Sequence, residues 1–244
     1  MSEPLRLAKR VALLRNCSRR EAELIVEGGW VRVDGVVVEA PQAKVLDQLI
    51  EIDPRARADP LPPVTLLLHK PAGVADDAVG APARDLLLQA NHWRKDQTGM
   101  RLLHKHLQQQ VCVTALETAA SGLLVFSQDW PVQRKLQHDG ALVEHELIVE
   151  VRGPVSPEAL AQLRRSPVVD GRAMLPAKVS ITSQTKAVTG LRCAVKGHYP
   201  GRIAKMCDAA GLVMLALRRI RVGRIALGAL PVGQWRFLQP FERF

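Results

Sequence analysis

The first forty residues leave this chain little conformational choice. Ser18, followed three positions later by Glu21, supplies both halves of a capping box, each side chain able to satisfy an orphan amide at a helix start. Gly28 and Gly29 then offer the backbone freedom that stops a helix, so the spacing predicts a short helix ending near Glu27. Asp34-Gly35 falls between Trp30, Val31 and Val33 on one side and Val36 to Val38 on the other, the dipeptide favoured in type I′ hairpins. Upstream, Leu7, Val11 and Leu14 recur at helical spacing and predict an earlier helix with those three on its apolar face. Arg6, Lys9, Arg10 and Arg15 fill its other faces, and Arg19 and Arg20 open the second helix. Six cations on two adjacent helices form a surface that seeks phosphate.

The segment LRLAKRVALLRNCSRREAELIVEGGWVRVDGVVVEAPQAKV resembles the small RNA-binding domain first recognised in ribosomal protein S-four. The resemblance rests on Ser18, Arg19, Ala22, Ile25, Gly28, Val31, Val33 and Gly35, and it implies structured RNA as the partner.

At 244 residues the chain has room for this module and a larger domain with its own core. The formal charge of +10 suits a polyanionic partner, and it is unevenly spread. Residues 186–224 hold nine Lys or Arg against the single acid Asp208, a second candidate RNA surface. Cys17, Cys112, Cys193 and Cys207 show no CxxC pairing, and His104 and His106 lack a companion Cys or His pair. Neither a metal site nor a redox motif is expected, and the two histidines read as surface residues. No apolar run approaches the ~18–20 residues needed to span a bilayer, and the N-terminus lacks a signal-peptide apolar core. The expectation is a cytoplasmic protein with no membrane partner.

Proline and charge cluster through Asp53-Pro54 and Ala58-Asp59-Pro60-Leu61-Pro62-Pro63, which predicts a linker and two domains, 1–60 and 61–244. A buried strand is expected over 64–68, leading into His69-Lys70-Pro71-Ala72-Gly73. Residues 75–110 give no clear signal beyond a helix around 102–110. Strands are then expected at 111–113 and 123–126, flanking the loop Leu116-Glu117-Thr118-Ala119-Ala120-Ser121-Gly122. A carboxylate held between buried strands beside small residues is a candidate nucleophile.

The order of HKPAG, LETAASGLLVFSQD, HELIVEV, LPAKV, GHYPGRIAKM and RRIRVGRIALGALPVGQWRFL resembles the pseudouridine synthases that modify ribosomal RNA, in the branch bearing the same N-terminal module. The resemblance covers nearly the whole chain. It implies an α+β protein: a helix-helix-hairpin module, then a mixed, largely antiparallel sheet with flanking helices. It also implies a basic cleft for a flipped uridine and a reaction without cofactor, in which a carboxylate attacks the nucleoside and uracil is rejoined through carbon five. Glu117 is the implied nucleophile, and Arg202 or Lys205 its charge partner. Lys70, Arg218, Arg219 and Arg221 join the N-terminal cations as candidate RNA contacts.

The active-site motifs depart from the family pattern. Thr114-Ala115-Leu116-Glu117 stands where Gly-Arg-Leu-Asp is usual, His145-Glu146-Leu147 lacks the usual tyrosine platform, and Ala204 occupies the usual basic position after Ile203. One added methylene shifts a carboxylate by roughly 1 Å, and such a misplacement costs on the order of 100-fold in rate. Two readings follow: an enzyme isomerising uridine to pseudouridine, or a catalytically inactive RNA-binding relative acting in ribosome assembly.

Overall fold

The computed structural model describes residues 3–76, 82–165, 168–169, 171–197 and 199–244. Its contacts divide into two compact units, one spanning 1–63 and 101–108, the other 64–100 and 109–244.

In the first unit, β1 (Leu5–Arg6) runs into α1 (Leu7–Arg15), and α2 (Arg19–Glu27) follows. The capping box forms in both directions: Glu21 N–H donates to Ser18 Oγ at 3.2 Å, and Ser18 N–H to Glu21 Oε2 at 2.8 Å. β2 (Val31–Val33) and β3 (Val36–Val37) make the hairpin, with φ of 49° at Asp34 and 78° at Gly35, the two left-handed positions a type I′ turn requires. β4 (Lys44–Val45) pairs with β1, and β5 (Ile50–Ile52) completes a sheet ordered β3-β2-β5. Leu7, Val11, Ala22, Ile25, Val26, Val31 and Val45 close the core. Leu14 departs from the sequence expectation. It is 53% exposed, because the last turn of α1 runs past the end of this small core.

Residues 101–108 return to the first unit and carry α3 (His104–Leu107), shorter than the helix expected over 102–110. Lys105 Nζ pairs with Glu27 at 2.8 Å, and His104 N–H donates to Glu39 at 2.6 Å. His106 is buried rather than a surface residue. Its Nδ1 faces the Leu103 N–H at 3.3 Å, and burial lowers its pKa.

The second unit is built on β6 (Thr65–Lys70), β7 (Val111–Cys112), β8 (Ser121–Ser127), β9 (Glu144–Arg152), β12 (Lys178–Gln184), β13 (Val188–Lys196), β14 (Met214–Val222), β15 (Ile225–Ala226) and β16 (Trp235–Phe237). A separate ribbon pairs β10 (Val168–Val169) with β11 (Arg172–Ala173). The main sheet is ordered β12-β13-β9-β14-β8-β6-β16, with β7 on β8 and β15 on β14. Among the described strand-to-strand pairings of this sheet only β14 with β8 is parallel, and two isolated bridges, Ala75 with Pro82 and His92 with Trp235, are parallel as well. β6 and β8 are covered on both faces, which is why they read as continuous apolar runs, whereas β9 alternates buried and exposed residues. Helices α4 (Trp130–Gln137), α5 (Pro157–Leu163) and α6 (Arg202–Ala209) flank the sheet.

Leu67, Leu123, Val125, Val222, Ile225, Leu227 and Leu230 form one core, capped by Leu136 of α4. Trp235 anchors the far edge. It has no exposed surface, stacks on His92 at 4.5 Å and donates its Nε1–H to Leu88 O at 2.8 Å. Trp235→Ala removes that packing and the hydrogen bond to Leu88, so denaturant titration should show a loss of ~3–5 kcal/mol. A variant as stable as the parent would contradict the anchor role.

Candidate active site

Three strands adjacent in the sheet but far apart in sequence put Lys70, Gly122 and Arg219 in one row, since Gly122 pairs with Lys70 on β6 and with Arg219 on β14. Residues in register across a sheet share a face, so two cations flank a position that carries no side chain. Leu147 of β9 extends the row beyond Arg219. Gly122 is obligatory for two reasons. Its φ is 118°, and a Cβ there would lie 2.2 Å from Arg219 O and 2.6 Å from Arg219 N.

Both cations are fully buried, and both spend their protons on the backbone around the Glu117 loop. Lys70 Nζ donates to Val74 O at 2.6 Å, Pro71 O at 3.2 Å and Thr118 O at 3.3 Å. Arg219 donates from Nε to Leu123 O at 2.7 Å, from Nη1 to Ala115 O at 2.8 Å and from Nη2 to Thr114 O at 3.0 Å. Between these clamps Leu116 N–H donates to the Asp76 carboxylate at 3.0 Å, Ala120 N–H to Glu117 O at 3.0 Å and Gly73 N–H to Thr118 O at 2.7 Å. The loop is thus held through its own peptide groups. Its half-buried Glu117 is pinned at one oxygen by the Gly201 N–H, 2.6 Å from Oε1, at the start of α6.

Burial pushes the Lys70 ammonium down to about 8 and the Arg219 guanidinium down to about 10, and the Asp76 and Glu117 carboxylates oppose the shift in both. Such buried cations persist where hydrogen bonds and nearby anions compensate them. A cavity of about 390 Å³ lies beside the loop, lined by Thr114, Ala115, Leu136, His145, Gly197 and Tyr199. Burial holds His145 at about 3, so the imidazole there is neutral at physiological pH. The arrangement offers an oriented carboxylate, two buried cations within electrostatic reach of it and a pocket of nucleobase size.

The structure redistributes the residues singled out from sequence. Lys70 and Arg219 have no exposed surface, so they act on the loop and do not meet phosphate as surface contacts. Arg221 is engaged by Glu144 at 2.6 Å and Glu146 at 2.7 Å, and only Arg218 of that group is exposed. Arg202, expected as a charge partner of Glu117, is buried and donates instead to the carbonyls of Lys196, Gly197 and Leu175. It fastens the segment leading into α6. Lys205 is exposed, and His198 of the same motif lies outside the described residues. Leu147 is fully buried. In the first unit Arg6, Lys9, Arg10, Arg15, Arg19 and Arg20 are all exposed, with Arg19 and Arg20 sharing Glu23. Arg6, Lys9 and Arg19 line a cavity of about 640 Å³ there.

Asp76 and Gly122 escaped the sequence reading as members of the site. The glycine had a usable signal, since an isolated Gly inside an apolar strand marks a close backbone approach.

Residues 5–48 match the S4 domain family. Over 242 residues the chain is 28% identical to ribosomal large subunit pseudouridine synthase B of Bacillus subtilis (strain 168), covering 97% of this chain and 93% of that protein. It is 24% identical over 245 residues to the dual-specificity RNA pseudouridine synthase RluF of Escherichia coli (strain K12), covering 98% and 77% respectively. A crystal structure of a pseudouridylate synthase aligns with 96% of each chain at a TM-score of 0.60 and 17% identity, a likeness of fold. The chain thus carries an S4 domain at its start, has the fold of a pseudouridylate synthase and is similar over nearly its whole length to ribosomal RNA pseudouridine synthases.

Proposed function

We propose that this protein isomerises uridine to pseudouridine in structured RNA, with ribosomal RNA as the substrate and the cytoplasm as the compartment. The observation that carries the reading is Glu117, a carboxylate set by a loop whose backbone is gripped by two buried cations. In this reading the 390 Å³ cavity receives the extruded uracil, and Tyr199 on its wall offers the aromatic face that Leu147 does not. The Glu117 carboxylate attacks carbon one of the ribose as its bond to nitrogen one of uracil breaks, and uracil then rejoins that carbon through its carbon five as the bond to Glu117 breaks and frees the carboxylate. The proton displaced from carbon five leaves and nitrogen one regains a proton, so the reaction balances without a co-substrate. Binding draws on the exposed cations of the S4 domain, whose phosphate contacts position the RNA without reading its sequence.

Ribosomal RNA transcripts carrying uridine tritiated at carbon five provide the test, because rejoining through that carbon expels the label. Release of tritium in proportion to pseudouridine formed is the expected result. Intact label with every ribosomal transcript, naked or assembled, would remove the isomerase reading and leave an RNA-binding protein.

A further inference from the structure

A second cavity, of about 710 Å³, lies outside the Glu117 site, between α4, residues 139–144 and the turn that follows β14. Its inner wall is apolar, where Val143 and Phe244 pack on the core containing Leu67, Leu123 and Val222. On β6 and β8, Leu67 and Leu123 alternate with Lys70 and Gly122, so this part of the core lies on the opposite face from those two residues. At the cavity rim Trp130 is 62% exposed and Leu142 73% exposed, large apolar surfaces left uncovered. Trp130 and Arg134 stand one helical turn apart on α4 and share a face.

The charges around these side chains are unbalanced. Arg134, Lys135 and Arg224 are exposed, and none has an ion-pair partner among the described residues. Of the two acids in the lining, Glu144 is engaged by Arg221 at 2.6 Å, which leaves Asp139 against three cations. A bare tryptophan ring beside unpaired cations is the combination that binds single-stranded nucleic acid: the ring stacks a base of any identity, and the cations follow the phosphates. A volume within the ~300–1,000 Å³ of small-molecule sites suits one or two nucleotides.

We propose that this cavity is a nucleotide-binding subsite, in which an unpaired base of the RNA stacks on Trp130 while Arg134, Lys135 and Arg224 hold the flanking phosphates. The inference rests on the RNA-binding reading and adds a contact that neither the S4 domain nor the Glu117 site supplies. The excess of positive charge favours RNA over a protein segment, for which an apolar rim without unpaired cations would suffice.

Fluorescence titration of the full chain with single-stranded hexaadenylate tests it, with an intact ribosomal RNA transcript titrated in parallel. Hexaadenylate should quench tryptophan emission, and Trp130→Ala should abolish that quench and weaken binding about tenfold or more. Trp130→Phe should keep affinity within about threefold, since a stacking face remains. Arg134→Glu combined with Arg224→Glu should weaken binding and flatten its salt dependence by a slope of about one to two. Melting temperatures should not move, because all these side chains are exposed. Wild-type affinity and quench in Trp130→Ala, with the transcript still bound, would overturn the subsite alone. Failure of the wild type to bind either RNA would overturn the RNA reading with it. Self-association lost in Trp130→Ala, with no effect on oligonucleotide binding, would reassign the cavity to a protein interface.

Discussion

Glu117→Gln should fold and bind RNA like the wild type yet release no tritium from carbon five of uridine. The amide keeps an oxygen where Glu117 Oε1 accepts the Gly201 N–H at 2.6 Å, so the link to α6 survives while the anionic nucleophile is lost. Glu117→Ala should be equally silent, with an added stability loss of ~1–3 kcal/mol for the unsatisfied amide. Glu117→Asp is the informative variant. The loop backbone is clamped by Arg219 at Thr114 and Ala115 and by Lys70 at Thr118, so it does not advance to carry a shorter side chain forward. A carboxylate falling about 1 Å short should turn over on the order of 100-fold more slowly. Turnover by Glu117→Gln at the wild-type rate would take Glu117 out of the mechanism.

Gly122→Ala should be among the most damaging single methyl additions in the second unit. The new Cβ meets Arg219 O at 2.2 Å and Arg219 N at 2.6 Å, both backbone atoms of the paired strand, and no side chain can rotate away to relieve it. Overpacking of about 1–3 kcal/mol combines with a strained positive φ of similar size, so urea titration should show a loss of roughly 3–5 kcal/mol. Gly153→Ala separates the two terms, since Gly153 has φ of 71° but nothing within 4 Å of the added carbon. Its loss should be limited to the strain of the left-handed backbone. Equal losses in the two variants would mean that β8 and β14 part without cost, against the close approach described.

The two predictions differ in how visible their residues were before the fold was known. Glu117 stood out because a carboxylate in a small-residue loop between two apolar runs is a local pattern. The capping box at Ser18 and Glu21, the Asp34-Gly35 turn and the apolar run of β8 are local in the same sense: each is completed by residues two to seven apart, so neighbouring side chains decide the outcome.

Lys70 and Arg219 read as RNA contacts because a charged side chain is exposed unless something compensates its burial. What compensates them is a set of carbonyls at Val74, Thr114, Ala115, Thr118 and Leu123, together with the Asp76 and Glu117 carboxylates. For Arg219 these groups come from distant parts of the chain. The same holds for Arg202, whose guanidinium reaches Leu175 across the sequence, and for residues 101–108, which fold with the first unit although they follow β6 in the chain. Local spacing therefore settled the S4 helices, the hairpin and the loop bearing Glu117. Strand register decided which cations are buried, because a row such as Lys70, Gly122 and Arg219 exists only once β6, β8 and β14 are aligned.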